Sequence, residues 1–209
     1  METLDELLER VPALAACRAD MTSAADALIA CAKEGKTIFV GGNGGSSADA
    51  GHIAGELLKS FALPRPVPAC EQERWRRDGS ETGAFLAAHL QQGISAVALG
   101  HDPAYVSAMA NDVCWRSVLA QELYARAAAG DVFLGLTTSG NSENVVAAAC
   151  LARLQGLIVL GLTGDAGGAL TAFCDVCIRV SASSTPRVQE LHQCVYHWLC
   201  AAVERACYG

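Results

Sequence analysis

The chain has 209 residues, 52% hydrophobic and 18% charged, with a formal net charge of −7. That length supports one sizeable core and is short for two. The acidic balance excludes general nucleic-acid binding, which needs a basic face, and no apolar run approaches the roughly 20 residues of a membrane helix. The opening METLDELLER is acidic, unlike a secretory leader, so a cytoplasmic protein is expected. Low charge density predicts that part of the surface is buried in an oligomer.

Residues 1–35 carry two helical stripes. Leu4, Leu7, Leu8 and Val11 form the first, and Met21, Ala24, Ala25, Leu28 and Ile29 the second. Thr3 followed by Glu6 reads as a capping box, and Gly35 as the stop of the second helix. Strand-like runs then appear at Thr37–Val40, Ser95–Leu99, Val132–Leu136, Leu157–Leu162 and Val176–Val180. Helical segments separate them at Ser46–Phe61, Pro103–Ala110, Trp115–Ala129, Asn144–Leu154 and Gly168–Phe173, and a long helix from Arg187 to about Cys207 closes the chain. Short apolar strands alternating with helices predict an α/β protein, a parallel sheet covered on both faces. Residues 63–93 break this rhythm with Pro64, Pro66 and Pro68, then two short helical stretches carrying Arg74, Arg76 and Arg77. The insertion reads as a solvated flap or subunit contact; the alternative is a lid whose arginines meet a substrate phosphate.

Two loops carry the chemistry. GGNGGSSADA (Gly41–Ala50) and TTSGNSENVV (Thr137–Val146) each follow a strand and open a helix. Free N–H groups and the positive dipole end at a helix N-terminus suit an anion, and Ser46, Ser47, Thr138, Ser139 and Ser142 add hydroxyl donors. Neither loop ends in Gly-Lys-Ser/Thr, and the first lacks the third glycine of the dinucleotide pattern, so a small phosphate ester is expected rather than a nucleotide. On the helix after the first loop, His52 and Glu56 stand four apart on one face. The last helix carries Gln189, Glu190, His192 and His197; Gln189 and His197 are two turns apart, about 12 Å of axial rise, and helical spacing alone does not pair them. The ten cysteines are expected to be reduced thiols. Cys174-x-x-Cys177 falls in a predicted strand, where positions three apart face opposite sides, so it is assigned a structural role.

GNGGSSADAGHIAGEL, TSGNSENV and TPRVQELHQCVYH together resemble the signature segments of sugar isomerase (SIS) domain proteins, and within them the phosphoheptose isomerases. The resemblance covers nearly the whole chain except the insertion. It implies one SIS domain over residues 1–209, a three-layer α/β/α fold with a five-stranded, flavodoxin-like parallel sheet. It also implies N-terminal helices (1–35) used in assembly, and a homotetramer with sites at subunit interfaces. The family's zinc ligands fall on His52, Glu56, Gln189 and His197, its acid and base on Glu56 and His197. Its substrate contacts fall on Asn43, Gly44, Gly45, Ser46, Glu56, Asn111, Asp112, Thr137, Thr138, Ser139, Ser142 and Gln189. Members often place a basic residue one turn past the helix carboxylate, where this chain has Ser60. The expected activity is zinc-dependent aldose–ketose isomerisation of a phosphosugar, sedoheptulose 7-phosphate to D-glycero-D-manno-heptose 7-phosphate. The alternatives are a non-catalytic SIS adaptor of the type that binds a replication initiator, and a phosphosugar-sensing regulator.

Overall fold

The computed structural model describes residues 2–209. Helix α1 (Leu4–Arg10) begins in the expected capping box: the Thr3 N–H donates to Glu6 Oε2 at 2.7 Å, and the Glu6 N–H donates to Thr3 Oγ1 at 3.3 Å. A 3₁₀ segment (Pro12–Cys17) leads into α2 (Arg18–Lys33), which stops at Gly35 with φ +67°. The chain then runs β1 (Ile38–Gly41), α3 (Gly45–Leu58), α4 (Ala69–Arg76), α5 (Glu81–His89), β2 (Ala96–Ala98) and α6 (Pro103–Met109). It continues α7 (Val118–Arg126), β3 (Val132–Leu136), α8 (Glu143–Leu154), β4 (Ile158–Thr163), β5 (Val176–Arg179) and α9 (Thr185–Tyr208).

The five strands form one parallel sheet in the order β2-β1-β3-β4-β5, the doubly wound flavodoxin-like arrangement. Period-two alternation splits the core. Ile38, Val40, Leu134, Leu160 and Leu162 pack under α2, α3 and α9, while Phe39, Phe133 and Val159 pack under α7 and α8. Strand order reverses between β1 and β3, which pair in register with Gly41 opposite Gly135. Both serine loops leave the carboxyl ends of these two strands, at the switch point where such sheets bind ligands.

Four local expectations are corrected. Helix α6 passes into a π-helical turn (Ala110–Cys114) rather than ending at Ala110. Extended backbone at Cys114 (φ −170°) then breaks the path, so the next helix starts with a 3₁₀ turn at Trp115–Ser117. The 169–173 segment is also 3₁₀. Cys174 lies before β5 rather than within it, so the two sulfurs do not face opposite sides. A Cβ on Gly161 would lie 2.7 Å from Cys174 Sγ and 3.1 Å from Cys177 Sγ, placing both thiols over one point of β4.

The insertion is tied down at its base. Pro66 and Gln91 form an antiparallel bridge. Arg65, fully buried, donates from Nε to Glu204 Oε1 at 2.7 Å and from Nη1 to the Leu57 carbonyl at 2.7 Å. Its Nη2 donates to the Glu56 carbonyl at 3.2 Å. The Glu204 carboxylate in turn accepts the N–H groups of Phe61 (2.8 Å), Ala62 (2.7 Å) and Leu63 (3.0 Å). Burial raises the Glu204 pKa, but the Phe61 and Ala62 amides and Arg65 outweigh it and leave the group below the usual range. A buried charge so enclosed keeps all its partners satisfied, and removing one member of such a pair costs about 3–5 kcal/mol.

Candidate functional site

The first loop turns at Gly44, whose φ of 53° and ψ of −120° no side-chain-bearing residue adopts without strain. Gly44 caps α3 with no side-chain hydrogen bond, and the Ser142 hydroxyl likewise makes none to the start of α8. The Ser142 hydroxyl instead lies 2.9 Å from Thr137 Oγ1. Thr138 Oγ1 lies 3.4 Å from Thr185 Oγ1 at the head of α9, whose N-cap Ser184 also makes no side-chain cap. Ser139 Oγ accepts the Asn141 N–H at 3.1 Å, and Ser46 is buried. Helix N-termini left without side-chain caps are suited to an anion.

A residue that the sequence did not single out joins the two loops. Asn43 and Asn144 exchange amide hydrogen bonds, each Nδ2 donating to the other's Oδ1 at 2.8 Å. The Asn144 oxygen also accepts the Val145 N–H at 3.0 Å. Asn144 sat inside the second motif, but a cross-loop partner is not visible in a linear pattern. A small cleft beside the first loop is lined by Asn43, Gly44, Ser47, Trp115 and Asn144. Asn111 and Asp112, expected at the substrate, are exposed on the π-helical turn and pair with each other, the Asn111 amide donating to Asp112 Oδ1 at 2.7 Å. They do not line that cleft.

Helices α3 and α9 lie side by side, and a Cβ on Gly45 would overlap the Gln189 amide, so Gln189 sits against the first loop. Seven residues past Gly45 on α3 and eight past Gln189 on α9, His52 and His197 meet, with Glu56 one turn further along α3. The imidazoles of His52 and His197 cross edge-on with centroids 4.9 Å apart. His52 Nε2 is 3.1 Å from Glu56 Oε1, and its Nδ1 is 3.1 Å from Tyr196 Oη, which donates to Asp49 Oδ1 at 3.2 Å. With the phenol proton given to Asp49, the phenol oxygen is left free to accept from His52 Nδ1. Lys59, not Ser60, supplies the basic partner, its Nζ donating to Glu56 Oε2 at 3.0 Å.

Phe61 stacks on His197, with centroids 5.8 Å apart and planes at 28°. Burial, and then the neighbouring His52, push the His197 pKa below the usual histidine value, which favours the neutral imidazole a general base needs. Burial pushes the Asp49 carboxyl up and, together with Asp49 itself, pushes the Tyr196 phenol up as well. The donor types at His52, Glu56, Gln189 and His197 are those of a zinc site. As the side chains stand, however, no three His, Cys, Asp or Glu side chains among the described residues converge to hold a metal. Arg76 and Arg77 of the insertion bond within their own helix, to Gln72 and Glu73, and all three flap arginines are exposed.

Comparison with known proteins identifies the class first. The SIS domain family model matches residues 86–164, the span that includes β2, β3, the second serine loop and all of β4. Phosphoheptose isomerase 2 of Campylobacter jejuni is 36% identical over 177 residues, 85% of this chain and 75% of the relative. The phosphoheptose isomerase of Aneurinibacillus thermoaerophilus is 36% identical over 84% of this chain and 76% of its own length. Among solved structures, phosphoheptose isomerase GmhA from Neisseria gonorrhoeae superposes with a TM-score of 0.69 at 31% identity, covering 88% of this chain and 85% of that one. A phosphoheptose isomerase from Francisella tularensis gives a TM-score of 0.73 at 26% identity over 98% and 100%. The chain belongs to the phosphoheptose isomerase family of SIS-domain proteins.

Proposed function

We propose that this protein is a phosphosugar isomerase that interconverts an aldose and a ketose, with sedoheptulose 7-phosphate and D-glycero-D-manno-heptose 7-phosphate as the substrate pair. The observation that carries the reading is the patch at which His52 contacts both Glu56 and His197, on helices whose N-termini adjoin the phosphate-type loops. The reaction moves a proton between C1 and C2 through an enediol, so it needs one group to take and return the carbon-bound proton and another to serve the two oxygens. Glu56 takes the first role and neutral His197 the second. The Lys59 ammonium beside Glu56 is placed to meet negative charge developing on an enediolate oxygen. The Thr137–Ser142 loop holds the phosphate, remote from the reacting carbons, where its binding energy orients the chain.

The site is read as completed by a second copy of the chain, in a homotetramer. The cleft at the first loop lacks Glu56 and His197, and the cleft that His197 lines with Phe61, Cys194 and Trp198 lacks both loops. Zinc held by His52, Glu56, Gln189 and His197 is a separate part of the proposal. As the side chains stand, no three His, Cys, Asp or Glu groups among the described residues are arranged to hold it. Elemental analysis of purified protein tests it: about one zinc per chain, lost in His52→Ala and His197→Ala, is expected, and metal-free wild type with full turnover refutes it.

The activity itself is tested by incubating the protein with sedoheptulose 7-phosphate in deuterated water and following the C1 and C2 protons by NMR. Deuterium uptake with appearance of the aldose is expected. No exchange with this or any other phosphoketose would overturn the assignment.

A further inference from the structure

Neither Arg65 nor Glu204 can touch a substrate, since both side chains are fully buried, yet each is bonded to the segments that carry the proposed acid and base. The Arg65 guanidinium takes the carbonyls of Glu56 and Leu57. These belong to the last turn of α3, whose carbonyls have no partners within the helix, so Arg65 acts as its C-terminal cap. Glu56 is therefore gripped by its own backbone. Glu204 stands seven residues after His197 on α9, two turns along the same face. Its carboxylate collects the N–H groups of Phe61, Ala62 and Leu63, and Phe61 is the ring stacked on His197. Tyr208, one turn beyond Glu204, lies under the guanidinium at 5.1 Å and donates to the Gly93 carbonyl at 3.2 Å, which brings the far end of the insertion to the same point.

We infer that Arg65 and Glu204 are positioning residues for the proposed isomerisation: one buried ion pair sets both the height of Glu56 on α3 and the ring plane of His197, and anchors the insertion to them. This inference rests on the function proposed above. The insertion is thus coupled to the reacting groups through its base, and its exposed arginines play no part in the coupling. A guanidinium is required because three directions must be served at once, the Glu204 carboxylate and two carbonyls. A lysine ammonium is a point charge without that planar fork.

The test uses two variants of the full-length protein. Arg65→Met with Glu204→Leu removes both charges and leaves an apolar filling, and Arg65→Lys keeps the charge but loses the fork. Melting temperature, kcat, KM for sedoheptulose 7-phosphate and the imidazole NMR resonances of His52 and His197 are measured on each. A kcat at least tenfold lower with KM within about twofold, and displaced His197 resonances, are expected in whichever variant melts within a few degrees of wild type. A folded variant with wild-type kcat and unmoved resonances overturns the inference and leaves the pair as packing. If wild type itself turns over no phosphosugar, the functional reading fails, and the imidazole resonances still decide whether the pair orients His197.

Discussion

Glu56 and His197 both lie against His52, and their environments differ. Glu56 lies between a histidine and a lysine, whereas His197 lies against aromatic rings and burial pushes its pKa below the usual histidine value. Two groups so differentiated can exchange acid and base roles across an enediol. Glu56→Gln keeps the shape and removes the base; turnover is expected to fall by about 10³-fold or more, read as lost deuterium uptake, with the melting temperature unchanged. Asn144 makes a different contribution. Asn144→Ala leaves the Asn43 amide unpaired in a part-buried place, with an expected cost of about 1–3 kcal/mol. KM for the phosphosugar is expected to rise while kcat changes little, because the loops rather than the reacting groups are displaced. Unchanged KM in that variant would mean that the loops hold their places without the amide pair.

At the scale of elements, the site depends on where helices begin. The N-terminus of α3 reaches its position only because Gly44 accepts a backbone that a Cβ would strain, by about 1–3 kcal/mol. Gly44→Ala is expected to shift the first turn of α3, weaken phosphosugar binding at least tenfold and lower the melting temperature by several degrees. Calorimetric titration with the ketose phosphate and a thermal melt check both arms. Helices α3 and α9 run alongside each other, so residues far apart in sequence but equally far along the two helices meet. This explains why Gln189 lies at Gly45 and His197 at His52.

For the molecule as a whole, one buried group sets a pH limit. His192 is fully buried on α9, and neither ring nitrogen makes a hydrogen bond of normal geometry among the described residues. Burial, offset only in part by the Thr163 backbone, pulls its pKa down to about 4. The unfolded chain, with an ordinary histidine, takes up this proton first as the pH falls. Stability is therefore complete above about pH 6.5 and declines toward pH 4, by up to about 3 kcal/mol. Urea unfolding midpoints are expected to fall over that window in wild type and to flatten there in His192→Leu; parallel profiles would show that other groups dominate. Exposed apolar side chains at Phe85, Leu90, Trp115, Tyr124 and Leu154 accord with an assembled protein. Sedimentation is expected to show a homotetramer, and a monomer at working concentration would remove the proposal that a second copy completes the site.

The strand runs, the alternation with helices, the first capping box and both glycine-serine loops were legible in the sequence because each is set by neighbours within a few residues: period, cap and turn chemistry. The pairing of His52 with Glu56 was legible for the same reason, being one helical turn. The π-helical turn after Met109 and the meeting of Cys174 with Cys177 were not, since they depend on how the chain is bent between packed elements. Nor were the Asn43–Asn144 exchange or the burial of Arg65 against Glu204, an arginine that among prolines reads as loop surface. These contacts span 101 and 139 residues, and only the folded sheet, by laying β1 beside β3 and α3 beside α9, brings such distant groups within hydrogen-bonding range.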